Sequence, residues 1–438
     1  MSLKEEIEAI VKKHLPIKKD KKDEFGEVFT PPEMIDALLD EFPPSIWKDS
    51  SKKWLDPANG IGNFPIYIFF RLMKGLDSEF PDFKKRAIHI IKNMLYMIEI
   101  DSENVKICKN IFKDLGAEPN IVKGDFLDLD ETNYDIIIGN PPYNSGGTKR
   151  DGEKRLHVAF TKKALELLNT DGYLSFICPP NYSAATSTMN TYFKETKGAF
   201  RFIKIYSPDE THRLFKIQAR VDAFIFNKGD VSKTKIQDEF DIVHHIDLDL
   251  NHHIPNFGYS IFEKLKKKVK ELGSPIGTRS AELTTVKKDT FGCGKNKTIH
   301  LFISGGRRIF KTLKKHSLSS KPKILINGLG LPYVYYDKEG HYGITQTPIV
   351  ILNPTDALAR FMKSSIFPFV AWGLRLTGNN NLPYILNYIP LVKNKSSYEE
   401  ILNLTKKEKT FIETNFPVPF SADKNILERC TVTRKKRS

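Results

Sequence analysis

The chain is poor in cysteine. Only four occur in 438 residues, at positions 108, 178, 293 and 430, and no two are spaced as CxxC. That scatter argues against a disulfide framework or a zinc site and fits a reducing compartment. No apolar run is long enough to span a bilayer. The first residues, Met1-Ser2-Leu3-Lys4-Glu5-Glu6, lack the apolar centre of a secretion signal. The expected location is intracellular: the cytoplasm of a prokaryote, or host cytoplasm or nucleus if the chain is viral. The P-loop signature, GxxxxGK followed by Ser or Thr, is missing, which weakens a nucleoside-triphosphate reading. No internal repeat is visible.

What is present is positive charge. Lys plus Arg total 68 against 53 for Asp plus Glu, a formal net charge of +15. That excess favours a polyanionic partner, nucleic acid first, although many soluble basic proteins have none. The length suits two sizeable domains. From Pro32 to Asn227, short β-branched runs alternate with helical patterns. Strands are expected at Lys53 to Asp56, Leu95 to Ile100, Ile121 to Gly124, Tyr134 to Gly139, Tyr173 to Cys178, Phe202 to Tyr206 and Val221 to Asn227. Helices fit between most of them, including one at Phe83 to Met94 with no evident function. This rhythm predicts an α/β fold: a Rossmann-like, mostly parallel sheet of seven strands with helices on both faces. The alternation stops between about residues 230 and 255. Beyond lies a region read as a mixed α+β domain, with strands at Leu325 to Tyr336 and Gly343 to Leu352 and a helix at Asp356 to Met362.

The chemistry gathers at the ends of successive strands. Leu55-Asp56-Pro57-Ala58-Asn59-Gly60-Ile61-Gly62-Asn63-Phe64 is a strand, a glycine turn and a helix start. Glycines let the backbone come close to a ligand there. Pro65 occupies the third glycine position of GxGxxG, which weakens a nicotinamide-dinucleotide reading. The next strand ends in Glu99-Ile100-Asp101, where a carboxylate can accept ribose hydroxyls. The third ends in Gly124-Asp125-Phe126, an acceptor beside a ring that suits an adenine. Singly, each carboxylate is more often a helix cap or a solvated strand end. Three in succession are harder to obtain by chance.

The fourth strand ends in Asn140-Pro141-Pro142-Tyr143. Two prolines stiffen the loop and remove two backbone donors. Carbonyls and the Asn140 side chain are left as acceptors beside an aromatic ring. Such a site suits a planar group carrying an amino nitrogen, for instance an adenine presented on edge. The bland alternative is a strand-ending turn with a packing tyrosine.

In this order the motifs resemble the N6-adenine DNA methyltransferases of the gamma arrangement. In that family a methionine-binding segment comes first, then the cofactor motifs, then NPPY, then a C-terminal target recognition domain. Phe29-Thr30-Pro31-Pro32 looks like the leading motif, and Asp56 to Phe64 like the DPxxGxGxF turn. The resemblance covers about the first half of the chain and implies S-adenosylmethionine as cofactor. Phe29, Thr30 and Pro31 would meet its methionine end, and Asp56, Ala58, Gly60, Gly62 and Asn63 its amino-acid portion. Glu99 would hold the ribose, and Asp125 with Phe126 the adenine; Ile100 and Asn140 are implied as further cofactor contacts. Asn140, Pro141, Pro142 and Tyr143 would carry catalysis on an adenine flipped out of duplex DNA. Tyr143 and Phe215 would stack on that base. Phe215 has a competing reading as core packing. Asn59 and Ile61 depart from the residues often seen in the glycine turn, which bears on cofactor affinity.

The implied domains are a catalytic one over residues 1–240 and a target-recognition one over 250–438. The expected partner is double-stranded DNA, bound by a monomer, with no membrane and no metal. Too few residues precede Phe29 for the nuclease that some gamma enzymes carry, so no cleavage activity is expected. His244-His245 and His252-His253 flank Asp247 and Asp249, but the spacing does not match structural zinc. The alternation with Ile246, Leu248 and Leu250 reads as a strand with polar residues outward. Lys295, Lys297, Arg307, Arg308 and Arg375 are candidate DNA contacts, and the lysine clusters at 264–268, 287–288 and 314–315 could neutralise phosphates collectively. Two other functions fit part of the pattern. One is methylation of a protein glutamine or an RNA base, since NPPY suits any planar amino group. The other is a catalytically silent DNA-binding module.

Overall fold

In the computed structural model the described residues are 30–130, 133–143, 155–217, 219–229, 233–280, 282, 291–301, 307–327, 333–375, 382–393 and 396–416. The chain divides into two compact units, 1–254 and 255–438.

The first unit is built on one sheet. Its strands are β1 (Trp54–Asp56), β2 (Leu95–Glu99), β3 (Asn120–Lys123), β4 (Tyr134–Gly139) and β5 (Leu168–Cys178), followed by β6 (Ala199–Tyr206), β7 (Val221–Asn227), β8 (Thr234–Gln237) and β9 (Val243–Ile246). Its helices are α1 (Pro32–Leu39), α2 (Asn63–Gly75), α3 (Phe83–His89), α4 (Ser102–Leu115), α5 (Leu156–Leu167), α6 (Thr188–Glu195) and α7 (Pro208–Phe215). The strand order is β3-β2-β1-β4-β5-β7-β6-β8-β9. β1 to β5 run parallel, and β7 enters antiparallel between β5 and β6. The architecture is the expected α/β sheet, enlarged from seven strands to nine. The additions come from the polar segment after Asn227. Thr234 and Ile236 alternate with Lys235 and Gln237, so the period of two that marks a half-buried strand holds for only four residues.

Both faces are covered, and β7 shows how. Val221, Ala223 and Ile225 point to a core shared with α1, α2 and α4. Phe224 and Phe226 point the other way, where their rings meet Phe193 of α6. Asp222 lies on that second side, fully buried, gripped by both arms of Arg220 at 2.7 Å and by the Tyr182 hydroxyl at 2.7 Å. Arg220 also donates to the Ile254 carbonyl at 3.1 Å. Such a buried pair persists only with its remaining hydrogen bonds filled.

The segment expected as one helix over Phe83 to Met94 is α3 followed by a π-helical turn, Ile90–Met94, that runs directly into β2. β9 corrects the expected strand: it covers His244 and His245 and ends at Ile246, before Asp247 and Asp249. His244 binds Asp238 at 2.8 Å.

The second unit is α+β. It holds two three-stranded sheets, one of them an antiparallel pair of β-ladders joining Lys323–Ile326 to Val334–Asp337 and to Ile349–Leu352. The 325–336 stretch is thus two strands. The helix Asp356–Met362 stands where expected. Tyr259–Leu272 forms α8, a helix not foreseen, whose buried Tyr259, Ile261, Phe262 and Leu265 lie on one face among lysines. No described helix is long and apolar enough to cross a membrane.

Candidate active site

Parallel pairing brings the chemistry together. β1 lies between β2 and β4, so Asp56, Glu99 and Asn140 reach the same carboxyl edge of the sheet. The turn after β1 is fixed by side chains from both sides. Gly62 caps α2 with φ of +104°, and a Cβ there would lie 3.2 Å from Cys108 Sγ. A left-handed, crowded position of this kind requires glycine. The Gly60 N–H donates to Glu99 Oε2 at 2.6 Å, while the Asp101 N–H donates to Oε1 at 2.8 Å. Asn59, the departure noted in the turn, donates through Nδ2 to Gly60 O at 3.0 Å and to Cys108 Sγ at 3.3 Å. Its Oδ1 is buried and has no partner among the described residues.

Asp56 is buried, and its Oδ1 accepts from the Ala58 N–H at 3.1 Å. Burial, with Glu99 nearby, raises its carboxyl from 3.8 to about 8. A cationic ligand would reverse that cost. Gly139, the last residue of β4, approaches so closely that a Cβ would sit 2.7 Å from the same Oδ1.

Asn140 follows at once. Its Nδ2 donates to Thr30 Oγ1 at 3.1 Å, and Thr30 is itself buried. Its Oδ1 is buried and has no partner among the described residues. A buried acceptor normally finds a donor, so this atom is prepared for one that arrives with a ligand. Pro141 is buried; Pro142 and Tyr143 are half-buried. The Tyr143 hydroxyl donates to Ile177 O at 3.3 Å, and burial pushes its pKa well above 10.

The other expected residues are placed less uniformly. Asp125 is exposed and caps a short turn by accepting from the Leu127 N–H at 2.9 Å. The Phe126 ring is buried against Phe160. Ile100, by contrast, is 58% exposed and offers an apolar surface at the end of β2. Ala58, Gly60, Asn63 and Pro31 are half-buried around the same edge. Phe215, at the end of α7, is 7% exposed and belongs to the core cluster that Tyr143 borders. Phe29 and the glycine-containing stretch 144–154 lie outside the described residues. His157 and Asn181 touch the site although nothing local marks them: His157 Nδ1 lies 2.9 Å from Tyr143 O, and Asn181 Nδ2 meets His157 Nε2.

In the second unit Lys295 and Lys297 are exposed on the strand Phe291–Leu301, and Arg307 and Arg308 begin the partner strand, their side chains outside the described residues. The Arg375 guanidinium lies over the Trp372 ring at 4.3 Å. Three lysines of the 264–268 cluster have carboxylate partners: Lys264 with Glu408 at 2.6 Å, Lys266 with Glu263 at 2.7 Å and Lys268 with Glu271 at 2.8 Å. Lys287 and Lys288 lie outside the described residues.

Residues 81–215 match the family model of the Eco57I restriction-modification methylases. An uncharacterized adenine-specific methylase of Mycoplasma pneumoniae is 24% identical over 297 residues, which is 49% of this chain and 70% of that protein. The modification methylase CviBIII of Paramecium bursaria Chlorella virus NC1A is 36% identical over 90 residues, 19% of this chain and 23% of its own. Among solved structures, the type IIL restriction-modification enzyme MmeI in complex with DNA superposes with a TM-score of 0.51 at 12% identity, covering 91% of this chain and 71% of MmeI. The likeness is one of fold: an α/β unit with two further sheets, one mixed and one antiparallel, in the C-terminal region.

Proposed function

We propose that this chain is an S-adenosylmethionine-dependent DNA methyltransferase of the gamma arrangement, modifying the N6 amino group of an adenine flipped from duplex DNA. The first unit is the catalytic one and the second reads the target sequence. The observation that carries this reading is the Asn140 Oδ1, a buried acceptor left over beside Thr30 and next to the Asp56–Gly139 contact.

The residues present fit the cofactor. Asp56 would face its ammonium, Glu99 its ribose, and exposed Ile100 its adenine. S-adenosylmethionine, when bound, supplies an electrophilic sulfonium methyl. The protein's part is positioning. The Asn140 oxygen and the Pro141 carbonyl accept the two N–H bonds of the amino group, which frees its lone pair from the ring. Tyr143 restores part of the stacking a flipped base loses. The Asn140 oxygen is itself buried, so a base meets it only after the surrounding chain gives way.

The test is labelled S-adenosylmethionine offered with DNA, RNA and protein, wild type beside Asn140→Ala. Label in DNA adenine is expected. Its rate should fall about 100-fold or more in the variant, while cofactor affinity stays within a few-fold. Label only in RNA or protein, or DNA retained without label, would overturn the reading.

A further inference from the structure

Pro141 and Pro142 have no N–H, so the Asn140–Tyr143 turn has two fewer backbone donors with which to hold its shape. Contacts from outside the turn add to its fixing. Asn140 is tied to Thr30 on one side. On the other side the chain leaves the turn at Tyr143, whose carbonyl meets a buried histidine 14 residues further on, at the start of α5.

We propose that His157 is a positioning residue for this turn: its Nδ1–H donates to the Tyr143 carbonyl while its Nε2 accepts from the Asn181 amide, which locks the turn to the neighbouring strand β5. This rests on the proposed methyl transfer only for its functional consequence; the clamp itself is a statement about hydrogen positions.

The chemistry assigns the protons. A carbonyl only accepts, so Nδ1 carries the hydrogen at 2.9 Å from Tyr143 O. In a neutral ring Nε2 is then the acceptor, and the Asn181 amide nitrogen faces it. His157 is 4% exposed, and burial, with Arg155 acting in the same direction, keeps the ring neutral. Asn181 is a fixed anchor. Its N–H donates to Pro179 O at 2.9 Å, and its carbonyl accepts from the Ser187 hydroxyl. It stands in Pro179-Pro180-Asn181-Tyr182, a second proline-paired turn, directly after β5. β4 and β5 are parallel neighbours, Gly139 opposite Phe176, so the two turns lie side by side with His157 between them. The Tyr143 hydroxyl reaches the same strand at Ile177 O. Tyr143 is thereby pinned at its backbone and at its ring tip.

Three variants and one spectrum test this. His157→Phe keeps a buried ring and removes both hydrogen bonds. Its kcat for DNA methylation should fall about tenfold to a hundredfold, the range expected for a small displacement of reacting groups. Cofactor Kd should stay within a few-fold. His157→Asn places an amide N–H near the former Nδ1 and should recover most of the loss. Asn181→Leu should impair kcat less than His157→Phe, since the donor to Tyr143 survives. Nitrogen NMR of the wild-type ring should show the Nδ1–H tautomer, whether or not the enzyme is active. Wild-type kcat in His157→Phe, equal damage from Phe and Asn, or an Nε2–H tautomer would each overturn the proposal. If wild type transfers no methyl to DNA, the functional reading fails and the spectrum alone decides the clamp.

Discussion

Calorimetry of cofactor binding at pH 7, repeated in buffers of different ionisation enthalpy, tests the role given to Asp56. Its carboxyl stands at about 8 in the free protein. At pH 7 it is then roughly nine-tenths protonated, and ionising it costs about 1.4 kcal/mol. An α-amino group, with an ordinary pKa near 8, arrives mostly charged. The carboxyl releases about 0.9 proton and the amine takes up about 0.1, so pairing the two expels about 0.8 per site, and roughly 0.4 if the carboxyl stands a unit lower. The apparent binding enthalpy should change linearly with buffer ionisation enthalpy, with that slope. Asp56→Asn removes the titrating group, so its slope should fall close to zero and its affinity should drop. The same carboxyl acts on stability. Its folded pKa is raised, so the folded state holds the proton more tightly. Asp56 therefore disfavours the free folded protein progressively as pH rises from about 4 to about 8, and the Asn variant should lack that slope. A wild-type binding heat that ignores the buffer would refute both the shifted carboxyl and its place opposite an ammonium.

Three further single variants and one double variant have defined outcomes. Gly139→Ala would drive a Cβ to within 2.7 Å of Asp56 Oδ1, so cofactor affinity should fall about tenfold with a lower Tm; unchanged binding would mean that the carboxylate is free to move. Phe215→Ala should cost about 3–5 kcal/mol in urea unfolding, because the ring is core; a loss under about 1 kcal/mol would return the ring to a stacking role. Arg220→Met leaves a buried carboxylate without its guanidinium and should cost about 3–5 kcal/mol, while Arg220→Met with Asp222→Leu should recover most of it; a harmless single variant would show that the Tyr182 hydroxyl alone satisfies Asp222.

The first unit was legible because its strands are short β-branched runs, and a parallel sheet obliges their carboxyl ends to meet. Tyr134–Gly139 and Val221–Asn227 stand where the periodicity puts them. β5 begins at Leu168, five residues before the expected Tyr173; Asp171 takes a positive φ inside the strand, where the pairing with β4 slips. α8 was hidden by composition: Lys264, Lys266, Lys267 and Lys268 mask the apolar face of Tyr259, Ile261, Phe262 and Leu265. That Asp56, Glu99 and Asn140 share one sheet edge could be read from strand ends alone. The contact of His157 and Asn181 with that edge could not, since it arises only when β4 and β5 become neighbours. The nearest signal was the repeated proline pair, at 141–142 and again at 179–180.

The reach of Arg220 to Ile254 governs how the protein can be cut for experiment. A fragment ending near residue 240 would keep β1 to β8, yet it would remove β9 and free a guanidinium donor inside the protein. It would also bare the outer edge of β8, which β9 covers, a template for association with other molecules. Fragments meant to isolate the first unit should run past Ile254, and shorter ones should be insoluble for reasons unrelated to catalysis.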